Sequence, residues 1–319
     1  MFIVTYRKFF YAFSSILVLV CIAAVAMWGL NIGIDFKGGS ILQVEYPAQI
    51  FPAQSVVASQ LAPLGVHASI RPTGTAGYII SMESLTQDQR VAVESALGIM
   101  SISTTSQIVA STTAVASSTP VAAASVTETQ FDSIGPVLGA EAARRAIVSI
   151  LLVIAAIVLF IAYAFRKVSQ PVSSWKYGLT AIIALVHNII LPIGLFAILG
   201  HFKGYEVDTL FVTALLVVLG FSVHDNIVVF DRVRENLRHH GAKKSFAQVV
   251  GDSISQTFTR SVNTSLTTLL ALVVLYFVGG SATQHFSLAL IVGIAAGTYS
   301  SIFIGSPLLV TLEKMQGKK

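Results

Sequence analysis

Charged side chains are scarce in this sequence, and long apolar runs take their place. Lys, Arg, Asp and Glu together make up 11% of the 319 residues, whereas 54% are apolar. Soluble globular proteins carry about 25% charged residues, so the composition excludes an ordinary soluble protein. The net charge of +5 arises from basic segments between the apolar runs, and we expect no nucleic-acid partner.

Cysteine occurs only once, which excludes an intrachain disulfide. Cys21 falls within the first apolar run, so a domain outside the membrane must be stabilised by packing. The sequence also lacks a Walker loop, a dinucleotide fingerprint, an HExxH pair and a nucleophile elbow. We therefore expect no enzymatic activity, no cofactor and no metal. Work would have to be driven by an ion gradient or by a partner protein.

Six stretches are long and apolar enough to cross a hydrocarbon core of about 30 Å. Backbone groups find no water to bind in lipid, so each stretch must be a helix. Arg7 and Lys8 precede the first run, but this run is too long for a cleaved secretion signal, and we interpret it as a retained anchor. We expect transmembrane helices over residues 9–30, 146–165, 177–200, 209–230, 261–280 and 286–312.

The distribution of Lys and Arg predicts the orientation of these helices. Positive residues concentrate in alternate short loops and at the N-terminus, and such segments lie on the cytoplasmic side. We expect a multi-pass protein of the cytoplasmic (inner) membrane with both termini inside. The expected cytoplasmic segments are residues 1–8, 166–176, 231–260 and 313–319, and the expected outer segments are residues 31–145, 201–208 and 281–285.

Between the first two apolar runs, the pattern changes to that of a soluble domain. Alternating apolar residues predict strands at 40–46, 67–71, 77–82 and 126–134, and helical spacing predicts helices at 53–64 and 86–97. Ser84 is the expected N-cap of the second helix. The order βαββαβ is the ferredoxin-like split motif. The expected fold class is an all-α polytopic membrane protein of six transmembrane helices with an inserted α+β ferredoxin-like extracytoplasmic domain.

Residues 101–125 interrupt this domain with a Ser/Thr/Ala/Val tract. The tract has no charge and no clear periodicity. We interpret it as a flexible low-complexity insertion, and the simplest interpretation is an irregular loop without a function of its own.

One carboxylate, Asp225, lies inside the fourth apolar run. It is five residues from the cytoplasmic end of that run, which is about 8 Å deep in a helix. An ionisable group at such a depth costs about 3 kcal/mol unless it has a partner. Asp225 either takes and releases a proton or forms a fixed ion pair between helices, and we favour the first because intramembrane carboxylates usually mark ion paths.

Arg260 is the expected partner of Asp225, because it opens the fifth helix at the same side of the membrane. Its long side chain can reach inward from the surface. The alternative is an ordinary positive anchor. His187 and His224 could relay protons, although a hydrogen-bonded membrane histidine is the simpler interpretation of each taken alone.

Three other patterns predict packing rather than chemistry. Gly293 and Gly297 form a GxxxG pair, which is typical of close helix packing. The hydroxyl side chains of residues 264–268 are expected to bond across helices or to their own backbone. Asp231, Arg232, Arg234 and Glu235 form acid–base pairs at i,i+3 spacing, which indicates a solvated helix end.

Several motifs together resemble the SecF family of the bacterial Sec export system, over almost the whole chain. The signature positions are Gly33, Asp35, Phe36, Gly38, Gly39, Asp231 and Arg232. The matching runs are Gly33-Ile-Asp-Phe-Lys-Gly-Gly39, Ile134-Gly-Pro-Val-Leu-Gly139, Gly220-Phe-Ser-Val-His-Asp-Asn-Ile-Val-Val-Phe-Asp-Arg-Val-Arg-Glu-Asn236, Thr259-Arg-Ser-Val-Asn-Thr-Ser-Leu-Thr-Thr268 and Gly297-Thr-Tyr-Ser-Ser-Ile-Phe303.

The resemblance implies membership of the RND-type superfamily and pairing with a six-helix SecD half around a pseudo-twofold axis. Asp225 and Arg260 fall on positions that the family implies in proton conduction. The implied role is a proton-driven accessory subunit of protein export, and the implied partners are SecD, the SecYEG channel, YajC, YidC and an unfolded exported polypeptide. Three features depart from the usual family pattern, namely Lys37 in the opening signature, His224 and the pair His187-Asn188.

Two other functions fit the same chain less well. A small-molecule or lipid exporter of this superfamily would have two large outer loops in one longer chain, whereas the loop at 281–285 has only a few residues. A purely structural subunit that stabilises SecD would have no proton role. The behaviour of an Asp225→Asn variant in a proton gradient separates these hypotheses.

Overall fold

The computed structural model describes residues 2–47, 51–66, 68–99, 126–165, 174–240 and 244–316. The chain forms two compact units. The membrane unit comprises Met1–Ile32 and Arg144–Lys319, and the sheet unit comprises Gly33–Ala143. The predicted insertion at 101–125 lies outside the described residues.

Helices and strands alternate in the sheet unit, and long helices make up the membrane unit. In chain order, the α-helices are α1 (Phe2–Thr5), α2 (Arg7–Trp28), α3 (Ile34–Lys37), α4 (Gln54–Leu61), α5 (Gln87–Leu97), α6 (Pro136–Ala164), α7 (Ser174–Lys203), α8 (Thr209–His240), α9 (Phe246–Val278), α10 (Ser281–Ser300) and α11 (Ser306–Gln316). The strands are β1 (Gly39–Glu45), β2 (Ser69–Thr73), β3 (Gly77–Met82) and β4 (Thr127–Ile134).

All six predicted membrane spans are helices that are long and apolar enough to cross a bilayer. Three of them extend well beyond their apolar runs. α6 already begins at Pro136, and the predicted loop 231–260 is helical at both ends. α8 continues to His240 and α9 already begins at Phe246. Ser245 starts α9 with a capping box, in which its hydroxyl accepts from the Gln248 backbone and the Gln248 side chain accepts from the Ser245 backbone.

Aromatic rings and close helix contacts pack the membrane unit. Tyr177 stacks on Phe165 at a centroid distance of 5.4 Å, and Phe230 meets both rings edge-on. Gly293 and Gly297 of α10 face α8, as the GxxxG pair predicts. A methyl group added at Gly297 would lie 2.6 Å from Ser222 Oγ, so the Ser222 side chain would have to move.

The sixth span, predicted at 286–312, is observed over Thr283–Met315 and contains one irregular turn. α10 and α11 are joined by a π-helical turn, Ser301–Gly305. The Ser306 hydroxyl donates to the Ser301 carbonyl oxygen at 2.9 Å across this turn. Apolar spacing does not signal such a turn, because an added backbone residue changes hydrogen bonding without changing composition.

The sheet unit confirms the predicted βαββαβ order. Its four strands are antiparallel in the order β2-β3-β1-β4. Leu42 of β1 lies opposite Ile80 of β3 and Phe131 of β4. Leu42 and Ile80 pack with Val57 of α4 and Val93 of α5 in one apolar core, because alternate strand residues point to the helical face.

Two details of the sheet unit differ from the sequence prediction. The N-cap of α5 is Thr86 and not Ser84, because Thr86 stands three residues before Gln89 and forms a capping box with it. The strand predicted at 67–71 is observed as β2 at Ser69–Thr73, with His67 outside the described residues. β2 tolerates Pro72 because it is an edge strand.

Candidate functional site

Asp225 is buried in the membrane unit, with 2% of its surface exposed. It lies on α8, where one side faces α10. The Thr298 hydroxyl lies 3.4 Å from Asp225 Oδ2 and can donate to it. His224 Nδ1 lies 4.0 Å from Asp225 Oδ1. The predicted intramembrane carboxylate is therefore enclosed by protein rather than facing lipid.

Thr298 connects Asp225 to α9. Its hydroxyl lies 2.5 Å from Ser265 Oγ and 3.0 Å from the Ile294 carbonyl oxygen. One hydroxyl carries one proton, so Thr298 can donate to Asp225 or to Ile294 but not fully to both. The three side chains Asp225, Thr298 and Ser265 form a short polar chain across three helices.

A second polar group lies one residue further along α8. Asn226 is buried, and its Nδ2 donates to the Ser222 carbonyl oxygen at 3.0 Å. A methyl group on Gly305 would lie 2.9 Å from Asn226 Oδ1, so the π-helical turn approaches α8 at this point. Neither Asn226 Oδ1 nor Ser222 Oγ has a hydrogen-bond partner among the described residues. Buried polar atoms of this kind are usually satisfied by ordered water.

His187 is buried on α7 and bonds to its neighbour. Its Nδ1 lies 3.0 Å from Asn188 Oδ1, and its ring centroid lies 6.3 Å from that of Tyr299. No direct hydrogen bond or ion pair joins His187 to Asp225 within the described part of the chain. The structure thus places His187 in the same helix bundle as Asp225 but does not bring the two side chains into contact.

The structure does not bring Arg260 and Asp225 together as an ion pair. Arg260 is exposed on α9, while Asp225 is enclosed. Among the described residues, the contacts of the Asp225 carboxylate are those with Thr298 and His224. Within the same part of the chain, the fixed ion pair that the sequence offered as an alternative is therefore absent from this conformation. His224 has a side chain that is 59% exposed, so it faces outward beside the carboxylate.

The signature residues Asp231 and Arg232 hold the polar extension of α8. Arg232 pairs with Glu235 at 2.6 Å, and Arg234 pairs with Asp231 at 3.7 Å, which confirms the predicted i,i+3 pairs. Arg232 Nε also donates to Gln256 Oε1 on α9 at 2.7 Å. The extensions of α8 and α9 are therefore joined by side chains outside the apolar core.

The glycines of the opening signature are required by close backbone contacts in the sheet unit. Gly38 and Gly39 have φ angles of +75° and +145°. A methyl group on Gly38 would lie 2.8 Å from Pro136 Cα, and one on Gly39 would lie 2.7 Å from the Met82 carbonyl oxygen. Gly33 caps the short helix α3, which contains Asp35 and Phe36.

A second glycine signature packs against the first. A methyl group on Gly139 would lie 2.7 Å from the Gly38 backbone nitrogen. The two sequence runs that resemble a family signature at 33–39 and 134–139 are therefore one structural feature. No side chain in them forms a metal site, since the described residues contain no group of three or more potential metal ligands.

Sequence reasoning did not single out Thr298, Ser222 or Asn226 as site residues. Ser265 was expected to bond across helices, and it does. The neighbouring hydroxyls bond to their own helix, as Thr264 donates to the Arg260 carbonyl oxygen. The sequence did contain a signal for these three residues, because each of them is a polar side chain within an otherwise apolar run.

Comparison with known proteins identifies the family. Residues 113–315 match the family described as protein export membrane protein SecD/SecF, C-terminal, and residues 29–46 match the SecD/SecF GG motif. The chain belongs to the SecD/SecF family. The GG motif covers Gly38 and Gly39, whose close contacts explain in physical terms why two glycines are needed there.

Individual SecF relatives match nearly the full length. The protein translocase subunit SecF of Thermobaculum terrenum is 42% identical over 98% of this chain and 93% of its own length. The subunit of the same name from Anaerolinea thermophila is 36% identical over 96% of this chain and 92% of its own length.

A fused SecDF relative and its crystal structure also match nearly all of this chain. The protein translocase subunit SecDF of Thermus thermophilus is 32% identical over 94% of this chain, which covers 37% of that protein. The crystal structure of SecDF, a translocon-associated membrane protein from that organism, has a TM-score of 0.79 and 27% identity over 98% of this chain and 38% of that chain.

Proposed function

We propose that this chain is an accessory subunit of the Sec protein translocase that pairs with a SecD half and uses the proton gradient to promote export. The observation that carries the proposal is Asp225, a carboxylate enclosed within a membrane-spanning helix bundle and bonded to a hydroxyl. The names of the relatives support the translocase role. The proton role rests on the site.

The fused relative supports pairing with SecD. This chain corresponds to little more than a third of SecDF, and the rest of SecDF includes the SecD half with which we propose that it pairs. A polar stripe on α9 faces outward and fits such a partner. The stripe consists of Arg260, Asn263, Thr264 and Thr267, which recur at helical spacing and are all exposed. Polar side chains that face lipid are costly, so a second membrane protein would cover them.

Arg260 then acts at the interface with the partner rather than as a fixed internal cation. His224 is adjacent to Asp225 on α8, and its side chain is exposed. With SecD in place, Arg260 would lie in a protein environment of low polarity, where a cation interacts more strongly with Asp225 than in water. His187 would take part only through water, since nothing joins it directly to Asp225 within the described residues.

The polar chain of Asp225, Thr298 and Ser265 gives proton uptake a structural consequence. While Asp225 is ionised, Thr298 donates to it and Ser265 donates to Thr298. Once Asp225 is protonated, it donates to Thr298, and Thr298 donates to the Ile294 carbonyl oxygen of its own helix. Proton uptake by Asp225 therefore changes the hydrogen bond that holds α8 and α10 together. One charge crossing 100 mV releases about 2.3 kcal/mol, enough to shift a two-state equilibrium by about fiftyfold.

The proposed orientation places both termini in the cytoplasm and the sheet unit outside. It rests on the positive segments that include Arg7, Lys8 and the extensions of α8 and α9. SecYEG, YajC, YidC and an unfolded exported polypeptide are proposed partners by family likeness. A purely structural role for this subunit is the main alternative.

The test replaces Asp225 by Asn, which keeps the size of the side chain and removes the proton chemistry. We expect proton-driven export to fall by about tenfold or more, while the complex with SecD still assembles. Asp88→Asn is the control, since Asp88 is exposed on α5 of the sheet unit, and it should leave export nearly unchanged. Normal export by an assembled Asp225→Asn complex would establish the structural role instead.

Two variants of Thr298 test the polar chain in the same assay. Thr298→Ser keeps the hydroxyl and should retain most of the activity. Thr298→Val has almost the same shape without the hydroxyl, and export should fall severalfold because Asp225 loses its hydrogen-bond partner. Equal activity of the two variants would remove Thr298 from the mechanism.

A further inference from the structure

The membrane unit contains a groove of about 510 Å³ between α2, α7 and α11. Its walls are mostly apolar, with Leu19 on α2, Ile183 on α7 and Leu308 on α11. This volume falls within the range of about 300–1,000 Å³ that is typical of small-molecule sites. Asp225 and the polar stripe do not line the groove, whereas His187 forms part of its α7 wall. The polar chain of Asp225, Thr298 and Ser265 does not use the groove.

The groove runs along the membrane-spanning helices over the depth of one leaflet. On α2 it extends from Tyr11 to Leu19, which is about 12 Å along the helix axis. A hydrocarbon core of about 30 Å has leaflets of about 15 Å. An acyl chain lying along the groove would therefore match its length and its apolar lining.

Each of the three helices carries a cation at the same end of the groove. Arg7 precedes Tyr11 by one turn on α2, Lys176 precedes Ile183 by two turns on α7, and Lys314 stands near the end of α11. Two contacts hold these helix ends together. Tyr11 Oη lies 3.2 Å from Thr311 Oγ1, and Lys176 Nζ donates to the Leu312 carbonyl oxygen at 3.1 Å.

The balance of charge at this end favours an anion. Glu313 is the one acidic residue among the described residues at the ends of these three helices, against the three cations and Lys8. α2 and α7 begin at this end and α11 ends there, so two positive helix termini lie beside one negative terminus and the net dipole contribution is positive. Basic pockets between transmembrane helices bind the headgroups of anionic lipids.

We propose that this groove is a binding site for an anionic glycerophospholipid. One acyl chain lies between α2, α7 and α11, and the phosphate lies among the cations at their ends. Phosphatidylglycerol is the simplest lipid with this chemistry. Such a lipid would fill the gap between the first, third and sixth membrane spans and stabilise their packing.

Fluorescence quenching by brominated lipids tests the site in the full chain. The native Trp28 and Trp175 are replaced by Phe, and a single reporter is introduced in the groove as Leu19→Trp. The protein is placed in vesicles of phosphatidylcholine that contain increasing brominated phosphatidylglycerol, or brominated phosphatidylcholine for comparison. The control reporter is Leu159→Trp, at an exposed apolar position of α6.

We expect the groove reporter to favour phosphatidylglycerol and the control reporter to show no preference. Arg7→Gln should weaken the preference by about fivefold, which corresponds to the value of about 1 kcal/mol for one cation near a membrane surface. The double variant Arg7→Gln/Lys314→Gln should abolish it. Lys203→Gln, at the opposite end of α7, should leave it unchanged.

Three results would overturn the proposal. The first is equal quenching of the groove reporter by the two lipids, which would indicate an ordinary contact with bulk lipid. The second is a preference that survives the double variant. The third is loss of quenching by either lipid once the SecD half is bound, because the groove would then be covered by protein.

Discussion

At the scale of single residues, Tyr46 and Tyr78 show how one hydrogen bond distinguishes two similar side chains. Both are buried in the core of the sheet unit, with ring centroids 6.0 Å apart. The Tyr78 hydroxyl donates to the Pro52 carbonyl oxygen at 2.8 Å. The Tyr46 hydroxyl is buried without a hydrogen-bond partner among the described residues. An unsatisfied buried polar atom is costly, and a satisfied one is mildly stabilising.

The two Tyr→Phe variants should therefore have opposite effects on stability. Tyr46→Phe should raise the free energy of unfolding of the sheet unit by about 1 kcal/mol, and Tyr78→Phe should lower it by a similar amount. Hydrogen exchange of the β1 and β3 amides in the full chain measures both. A loss of stability in Tyr46→Phe would mean that its hydroxyl has a partner in solution.

Tyr46 and Tyr78 also predict that the stability of the sheet unit falls at high pH. Burial raises the pKa of Tyr46, with a smaller contribution from Tyr78. The folded chain then holds this proton more tightly than the unfolded chain does. The resulting stabilisation is present below the unfolded value of about 10 and is lost as the pH rises through the higher folded value. Tyr46→Phe should reduce this alkaline loss of protection.

At the scale of elements, the turn between α3 and β1 requires glycine at two positions, both for the backbone angle and for the lack of space around it. Gly38 and Gly39 both have positive φ angles, and both would bring an added methyl group within 3 Å of backbone atoms. Gly74 has a φ of +59° with open space around it. It therefore provides a control for backbone strain without steric overlap.

Gly39→Ala should destabilise the sheet unit more than Gly74→Ala does. The Gly74 variant incurs the strain of a left-handed residue, about 1 kcal/mol. The Gly39 variant must in addition move the β3 backbone at Met82, and we expect a total loss of about 3 kcal/mol. Thermal unfolding of the two variants gives the comparison. Equal losses would show that the contact with Met82 relaxes at no cost.

The elements also show what the sequence alone can predict. Long apolar runs and strict alternation predicted the spans and the βαββαβ order, because burial in lipid or in one face of a sheet leaves a periodic pattern. The C-terminal part of α8 and the N-terminal part of α9 were not predicted, because polar helices outside lipid have no hydropathy signal. The contact of Asp225 with Thr298 depends on the packing of α8 against α10, which the order of residues does not specify.

At the scale of the whole molecule, the proposed orientation can be tested with the single native cysteine in place. Cys21 is buried in α2, so the parent chain should not react with a membrane-impermeant maleimide. Ser95→Cys, exposed in the sheet unit, should be labelled in cells with an intact inner membrane. Arg238→Cys, exposed on the α8 extension, should be labelled only after the membrane is opened.

The reverse pattern of labelling would place the sheet unit in the cytoplasm. It would also put the cations of Arg7 and Lys314 on the outer side. Labelling of neither variant in intact cells would mean that the sheet unit is shielded, and an epitope between β3 and α5 would then serve as the second probe. The reaction of the parent chain sets the background for both variants.

The π-helical turn has a consequence for how the ends of the chain are joined. Five residues complete the turn at Ser301–Gly305, so the helix that follows it, α11, is out of phase with α10 by one residue. Restoring a regular turn would rotate α11 by about 100°. That rotation would carry Thr311 away from Tyr11 and the Leu312 carbonyl away from Lys176, and so detach the end of the sixth span from the first and third.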